Sequence, residues 1–339
     1  MPGTRLDLIE CNDDALWEHL LTRSAQATVF STTGFLRSLG RRFRRYLIGS
    51  PAKPVALCCA VEDDSGEQLL AVDYTPYQGI LFLTDSALLP RQRIVDELRI
   101  MEFAVTTLTE RYRTIAMPLS WRVDDIRPFL WHHYHEPQQG QFKVTPRYTA
   151  VLDLAHAQET EFVAQSRACR RQELRKGAAY VVREERDVGL FMQLYEMTFA
   201  RQDIVLPESA LALVRRIAEA ALAQGFGRLS SCVTDDGVAA MTLFLFDWQR
   251  AYYLFGANRP DLRNSGAATR LMFENIGYAK QRGLAELDFV GVNSPKRGDF
   301  KLSFNPQLKL YFDLRYERPT RPAQQLADGS AAGARAETG

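Results

Sequence analysis

The chain has 339 residues, 46% of them hydrophobic and 24% charged, and its 42 lysines and arginines nearly balance 41 aspartates and glutamates. That length accommodates two domains, each able to bury a core, and the composition is that of a globular protein. The near-neutral charge excludes a global field that would recruit a polyanion, so any nucleic-acid contact has to be local. The longest apolar run, Val238 to Phe246 broken only by Thr242, is too short to cross a bilayer, and no stable membrane insertion is expected. Asp7, Glu10, Asp13 and Asp14 near the amino end do not fit a signal peptide, so the expected location is cytoplasmic. Five cysteines without a C-x-x-C pair read as buried reduced thiols, with Cys58 and Cys59 on opposite faces of a strand.

In chain order, Ala15 to Leu21 and Phe35 to Phe43 have helical character. Val55 to Glu62 is a strand, Asp63 to Gly66 its turn, Leu69 to Tyr74 the return strand and Gly79 to Leu83 a third. The helix that follows, Arg91 to Arg111, carries Ile94, Leu98, Met101, Val105 and Leu108 on one face; a short strand, Thr114 to Met117, ends at Pro118.

After a strand at Arg147 to Asp153 and helical residues 157–178, helices are predicted at Val188 to Gln202 and Glu208 to Gln224. Strands follow at Leu229 to Val233, Val238 to Phe246 and Ala251 to Ala257, then a helix over 266–282 and a strand from Leu284 to Val290. The order strand, acidic-Gly turn, strand, strand, helix, strand thus occurs twice. It implies two similar α/β domains in tandem, residues 1–146 and 147–320, each a mixed sheet flanked by helices. The segment 321–339, almost without large apolar residues, reads as a disordered tail.

Three places carry candidate chemistry. Arg263, Asn264, Ser265, Gly266, Ala267 and Ala268 join a strand to a helix; exposed amides and the helix dipole there favour an anion such as a cofactor pyrophosphate, although a plain helix start has the same residues. Asp288 interrupts an apolar strand, with Glu286 on its face and Leu287 and Phe289 on the other. At the end of a central strand it could orient an amine or accept its proton, or it could bond nearby backbone amides. Lys301, between Phe300 and Phe304, could present an ammonium beside apolar surface, or be an ordinary surface lysine.

Other clusters carry less. Arg167, Arg170, Arg171 and Arg175, with Lys176, fall on one helix face, and Arg37, Arg41, Arg42, Arg44 and Arg45 form a second group. Either could hold phosphates of a cofactor or RNA, or be solvated. His132, His133 and His135 lack a second ligand pair, so no metal is expected. Tyr77, Gln78 and Gly79 would line a bend at the first sheet, as an acceptor contact or a turn.

These residues resemble the FemAB-like branch of the GNAT acyltransferase superfamily, including CelD-type members. The resemblance covers most of the chain: Ala27-Thr-Val-Phe-Ser-Thr32 and Pro76-Tyr-Gln-Gly-Ile80 in the first half, then Arg147 to Leu154, Ser166 to Gly177, Tyr252-Tyr-Leu-Phe-Gly256, Leu287-Asp-Phe289 and Phe300-Lys-Leu-Ser-Phe304. The most specific element is the D-F…F-K-x-x-F-G ending, in which Asn305 replaces the last glycine; asparagine also tolerates left-handed backbone.

The resemblance implies two GNAT-like domains and transfer of an acyl or aminoacyl group to an amine by direct attack. It places Lys301 at the reaction centre and the acceptor, a small molecule, peptide or glycan precursor, in an interdomain cleft beside Tyr77, Gln78 and Gly79. Arg170 and Phe300 are further candidate substrate contacts. Acyl-CoA is the expected co-substrate, with no permanently bound cofactor. Aminoacyl-tRNA as donor, O-acylation of a sugar and a silent ligand-binding homologue are the alternatives.

Overall fold

The computed structural model describes residues 5–83, 88–156 and 158–319, apart from the side chain at position 159, so the expected tail from 321 lies outside the described residues. In the first half the elements are β1 (Asp7–Glu10), α1 (Asp14–Leu21), α2 (Thr33–Ser38), β2 (Arg42–Ser50), β3 (Lys53–Glu62), β4 (Gln68–Leu69), β5 (Gly79–Phe82), α3 (Pro90–Arg111), β6 (Thr114–Pro118) and α4 (Arg127–Trp131). The second half begins with β7 (Lys143–Asp153), α5 (Glu159–Gln165), α6 (Ala168–Lys176), β8 (Val181–Glu185), α7 (Val188–Ala200) and α8 (Glu208–Gln224). It continues through β9 (Gly227–Thr234), β10 (Gly237–Phe246), β11 (Arg250–Asn258), α9 (Ala267–Gln281), β12 (Glu286–Asp288), α10 (Pro295–Leu302) and β13 (Gln307–Glu317).

The strands form one sheet in the order β1-β2-β3-β4-β6-β13-β7-β12-β11-β10-β9-β8, with β5 also on β3. The last strand makes it continuous. Residues Asp313 to Glu317 pair with β6 of the first half, while Gln307 to Arg315 pair with β7 of the second. The division expected at 147 therefore falls inside β7, and β13 binds strands on both sides of it.

Strand alternation sorts side chains into two layers. Cys59 and Val61 of β3, with Met241, Leu243 and Leu245 of β10, join Trp17, Phe30, Phe35, Phe191, Val214 and Ile217 in a core shared by α1, α2, α7 and α8 of both halves. Cys58, on the opposite face as expected, packs under α3 with Met101, Val105 and Leu108. Leu287 and Phe289 pack under α9 with Met272, Ile276 and Phe304. The front layer therefore welds the halves together, whereas the back layer stays divided into one core under α3 and two under α9, the second of these built by Cys232, Ala240, Ala267 and Leu271.

Several expectations are corrected. Residues 42–50 are a strand, not the end of a helix: α2 stops after six residues, Gly40 turns the chain at φ +61°, and β2 pairs with β3. The helix expected over 157–178 is instead two, α5 and α6, broken where Ser166 and Arg167 take extended ψ values of 158° and 150°. Only Gln68–Leu69 of the return strand and Glu286–Asp288 of the last strand pair regularly. Ile94 is 50% exposed, because α3 overhangs the sheet and buries only its second half. Cys169 on α6 is exposed, unlike the other four cysteines.

Candidate active site

β11 and β12 run parallel, but only Arg250, Ala251 and Tyr252 pair, with Glu286, Leu287 and Asp288. β11 continues to Asn258 while the other chain turns away through Val290 at φ +52° and Gly291 at φ +72°. The two strands therefore splay, and among the described residues no strand pairs the released edge of Tyr253 to Ala257 on that side. Left-handed backbone at a β-branched residue is strained, by about 1–3 kcal/mol, and persists only where its surroundings enforce it. Here Val290 N–H donates to Asp288 Oδ1 at 2.8 Å, Gly291 N–H to Thr149 Oγ1 at 3.1 Å, and both carbonyls accept from Lys301.

Lys301 lies in the last turn of α10, anchored by Phe300 and Phe304, whose rings meet edge-on at 5.2 Å. Its Nζ donates to Val290 O at 2.8 Å and Gly291 O at 2.9 Å and stands 5.5 Å from the Tyr253 ring centre. An ammonium has three donors, so one remains for the cleft that Lys301 lines. Burial lowers its pKa to about 8, against the opposing pull of the Asp288 charge. Tyr253, its own pKa raised to about 12 by burial, packs against Phe244 and Phe289 and reaches along its strand to Gly256, where any Cβ would collide with the tyrosine hydroxyl.

Asp288 is fully buried. Tyr77 donates to its Oδ2 at 2.7 Å and Thr149 to its Oδ1 at 2.6 Å, and with the Val290 amide both oxygens are engaged. Burial raises its pKa; these hydrogen bonds and the Lys301 charge oppose the rise. Asp288 does not line the cleft. The expected contact with an acceptor amine is corrected accordingly: this geometry makes it the group that holds the Val290–Gly291 turn under Lys301.

The cleft, about 1070 Å³, opens between the halves. Its walls include the released β11 edge, α7 and the start of α10, against which residues 71–76 pack through Tyr74 on Phe255, and continue through Pro118 to Arg147, Tyr311, Asp313 and Arg315 of the two joining strands. Basic side chains outnumber acidic ones along its walls: Arg201 at the end of α7, Arg263 after β11, and Lys296 and Arg297 at the start of α10 are among them, with Asp73, Asp203 and Asp313 as the acids.

Of the expected contacts, Phe300, Lys301 and Arg263 line this cleft. Tyr77 and Gln78 are 2% and 1% exposed and Gly79 faces Met117, where a Cβ would come within 2.7 Å of its sulfur; the preceding residues, Asp73 to Pro76, form the wall instead. Asn264, Ser265, Gly266, Ala267 and Ala268 are outside the lining. Gly266 does start α9 in left-handed backbone, but a Cβ there would lie 2.3 Å from Glu173 O, so its small size serves contact with α6.

Arg170 donates to Glu173 and Thr269 and lies 5.0 Å from the Phe300 ring centre, which braces α6 against α9 and α10. Its neighbours are likewise engaged: Arg167 with Asp299, Arg171 with the Ala164 and Ser166 carbonyls, Lys176 with Asn264 O. In the second basic group, Arg37 and Arg45 pair with Asp14, and Arg42 and Arg44 with the buried Glu62.

Tyr253, Arg147, Arg297 and Arg315 were given no role by the sequence. Tyr253 stands in the Tyr252-Tyr-Leu-Phe-Gly256 segment, but a register irregularity leaves Leu254 without a partner on β10, so simple alternation does not say which way these residues face. The strictly alternating Leu308, Leu310, Phe312, Leu314 and Tyr316 did offer a signal for β13 and the charged face behind it.

The family described as acetyltransferase (GNAT) domain matches residues 162–302, from α5 to α10. Similar solved structures include FemX, at 13% identity and TM-score 0.63, covering 90% of this chain and 96% of that one. A tandem GNAT protein from the clavulanic acid biosynthesis pathway has 13% identity and TM-score 0.53, covering 94% and 100%. L-PGS from Bacillus licheniformis has 12% identity and TM-score 0.50, covering 93% and 95%. A comparison with curated proteins gives no match. The chain has the fold of the FemAB-like branch of the GNAT superfamily, two tandem GNAT-like units, and the match to the acetyltransferase (GNAT) domain falls in the second. Asn305 adopts φ +62°, so the turn closing the F-K-x-x-F motif is kept without glycine. Among the described residues no helix is long and apolar enough to cross a membrane.

Proposed function

We propose that the protein is an N-acyltransferase that moves an acyl group from acyl-CoA to an amine by direct attack. The observation that carries this reading is Lys301: an ammonium fixed by two backbone carbonyls at the mouth of a strand splay, facing an open cleft. The released edge of β11 offers unpaired backbone groups to an extended, amide-containing chain such as pantetheine. Arg201, Arg263 and Lys296, none with an acidic partner among the described residues, suit the donor phosphates.

In this reading the amine nitrogen attacks the thioester carbonyl, a C–N bond forms, the C–S bond breaks, and the amine proton leaves to solvent or the departing thiolate. The remaining Lys301 donor faces the carbonyl oxygen as it gains charge. Such a donor in a site shielded from water is worth about 3–4 kcal/mol in the transition state.

The test is thermal denaturation with CoA and acyl-CoAs. A ligand at a hundred times its dissociation constant stabilises the fold by about 2.7 kcal/mol. A dose-dependent rise in melting temperature is expected; no rise with any CoA would overturn the donor assignment and bring charged tRNA forward as the next donor to test.

A further inference from the structure

β7 and β13 meet with Lys143 directly opposite Arg315, Thr145 opposite Asp313 and Arg147 opposite Tyr311. Directly opposed residues share a sheet face, and Arg147, Tyr311, Asp313 and Arg315 line the cleft, so this face continues the cleft floor. Arg147 is compensated by Asp313 at 3.6 Å. Arg315 and Lys143 are both exposed, and neither has an acidic partner among the described residues; Glu317, two positions along, pairs with neither. Like charges set opposite each other in an antiparallel ladder destabilise it. Nothing in the fold requires them here, because the back face of the same strands supplies the packing through Val144, Phe312 and Leu314.

We propose that this end of the cleft is the acceptor subsite and that it recognises an anionic group, a phosphate or a carboxylate, held by Lys143, Arg147 and Arg315. The acceptor is then an amine that carries its negative charge away from the reacting nitrogen. The inference rests on the acyltransferase reading and assigns the substrate class for its second site. It also separates two anion sites by position: donor phosphates toward Arg263 and α7, the acceptor anion on the joining strands.

The experiment is calorimetric titration of the full chain, first with CoA, which reads the donor assignment alone. The CoA-loaded protein is then titrated with inorganic pyrophosphate and, separately, with succinate. Binding of one anion is expected, and which one tells phosphate from carboxylate. Lys143→Gln/Arg315→Gln should weaken it by about tenfold or more, since charge-assisted contacts are lost, while CoA affinity stays that of the parent. Failure of both anions to bind, or unchanged binding in the double variant, would overturn the subsite even if CoA binds normally. Failure of CoA with retained, Arg315-dependent anion binding would instead remove the donor reading and leave the subsite standing. The double variant should melt no lower than the parent, because it removes an opposed like-charge pair; a lower melting temperature would contradict the argument from strand register.

Discussion

The Tyr77 hydroxyl of the first half donates to Asp288 Oδ2 of the second at 2.7 Å, entirely out of solvent. Through Asp288 that bond reaches the Val290 amide, and through the Val290 and Gly291 carbonyls it reaches Lys301. The first half therefore sets the position of a group presented by the second. A buried hydrogen bond to a charged group contributes about 1.5–3 kcal/mol.

Tyr77→Phe should lower stability by about that amount in urea denaturation. Asp288 should also act on catalysis in a way that a purely structural group would not. Its charge pulls the Lys301 pKa up against burial, so without that charge the pKa moves further below its value of about 8. The alkaline limb of kcat/KM, set by loss of the Lys301 proton, should shift to lower pH in Asp288→Asn. An unmoved limb in Asp288→Asn would break the link between Asp288 and Lys301.

Lys301 also predicts how stability varies with pH. Its folded pKa, about 8, is below its ordinary 10.5, so between those values the unfolded chain binds more protons than the folded one. Stability from this residue therefore rises with pH across that window. Lys301→Met should abolish this rise, lower kcat by at least tenfold through loss of the transition-state donor, and leave the CoA-induced melting shift intact. Unchanged turnover would remove Lys301 from the mechanism.

A second junction is ionic. Arg250 is 2% exposed and donates to the Ala25 and Ala27 carbonyls of the first half and to Glu286, which also receives Arg122 at 2.6 and 2.7 Å. Burial opposes ionisation of Glu286, yet the two arginines hold its pKa below the usual range. Breaking such a network by removing one partner costs about 3–5 kcal/mol. Arg250→Met should show that loss in urea, and a loss under 1 kcal/mol would mean that the halves are joined by the apolar core alone.

The donor end is best probed away from Gly266. Gly266→Ala places a methyl 2.3 Å from Glu173 O in a left-handed position, so it should destabilise the fold by about 1–3 kcal/mol and tell little about ligands. Arg263 is exposed and lines the cleft. Arg263→Gln should leave stability within about 0.5 kcal/mol and weaken CoA; unaltered CoA affinity by calorimetry would move the phosphates elsewhere on the rim.

Local pattern was enough for much of this protein. Val55 to Glu62 and Val238 to Phe246 are apolar on both faces and are strands buried on both faces; Glu208 to Gln224 has helical spacing and is α8. The alternation at 286–289 sends Glu286 and Asp288 to the first half and Leu287 and Phe289 to the back core, and the Phe300–Lys301–Phe304 spacing puts Lys301 at the cleft. These are consequences of period and side-chain chemistry, which travel with the sequence. Tertiary structure decided the rest. Tyr77 and Asp288 lie 211 positions apart, β13 returns to join both halves, and Arg315 gains its meaning from Lys143 across a ladder. Gly266, read as room for a phosphate, is room for α6. In each case the deciding contact is between residues distant in the chain, and a local pattern records only that a small, charged or apolar residue is needed, not what it will meet.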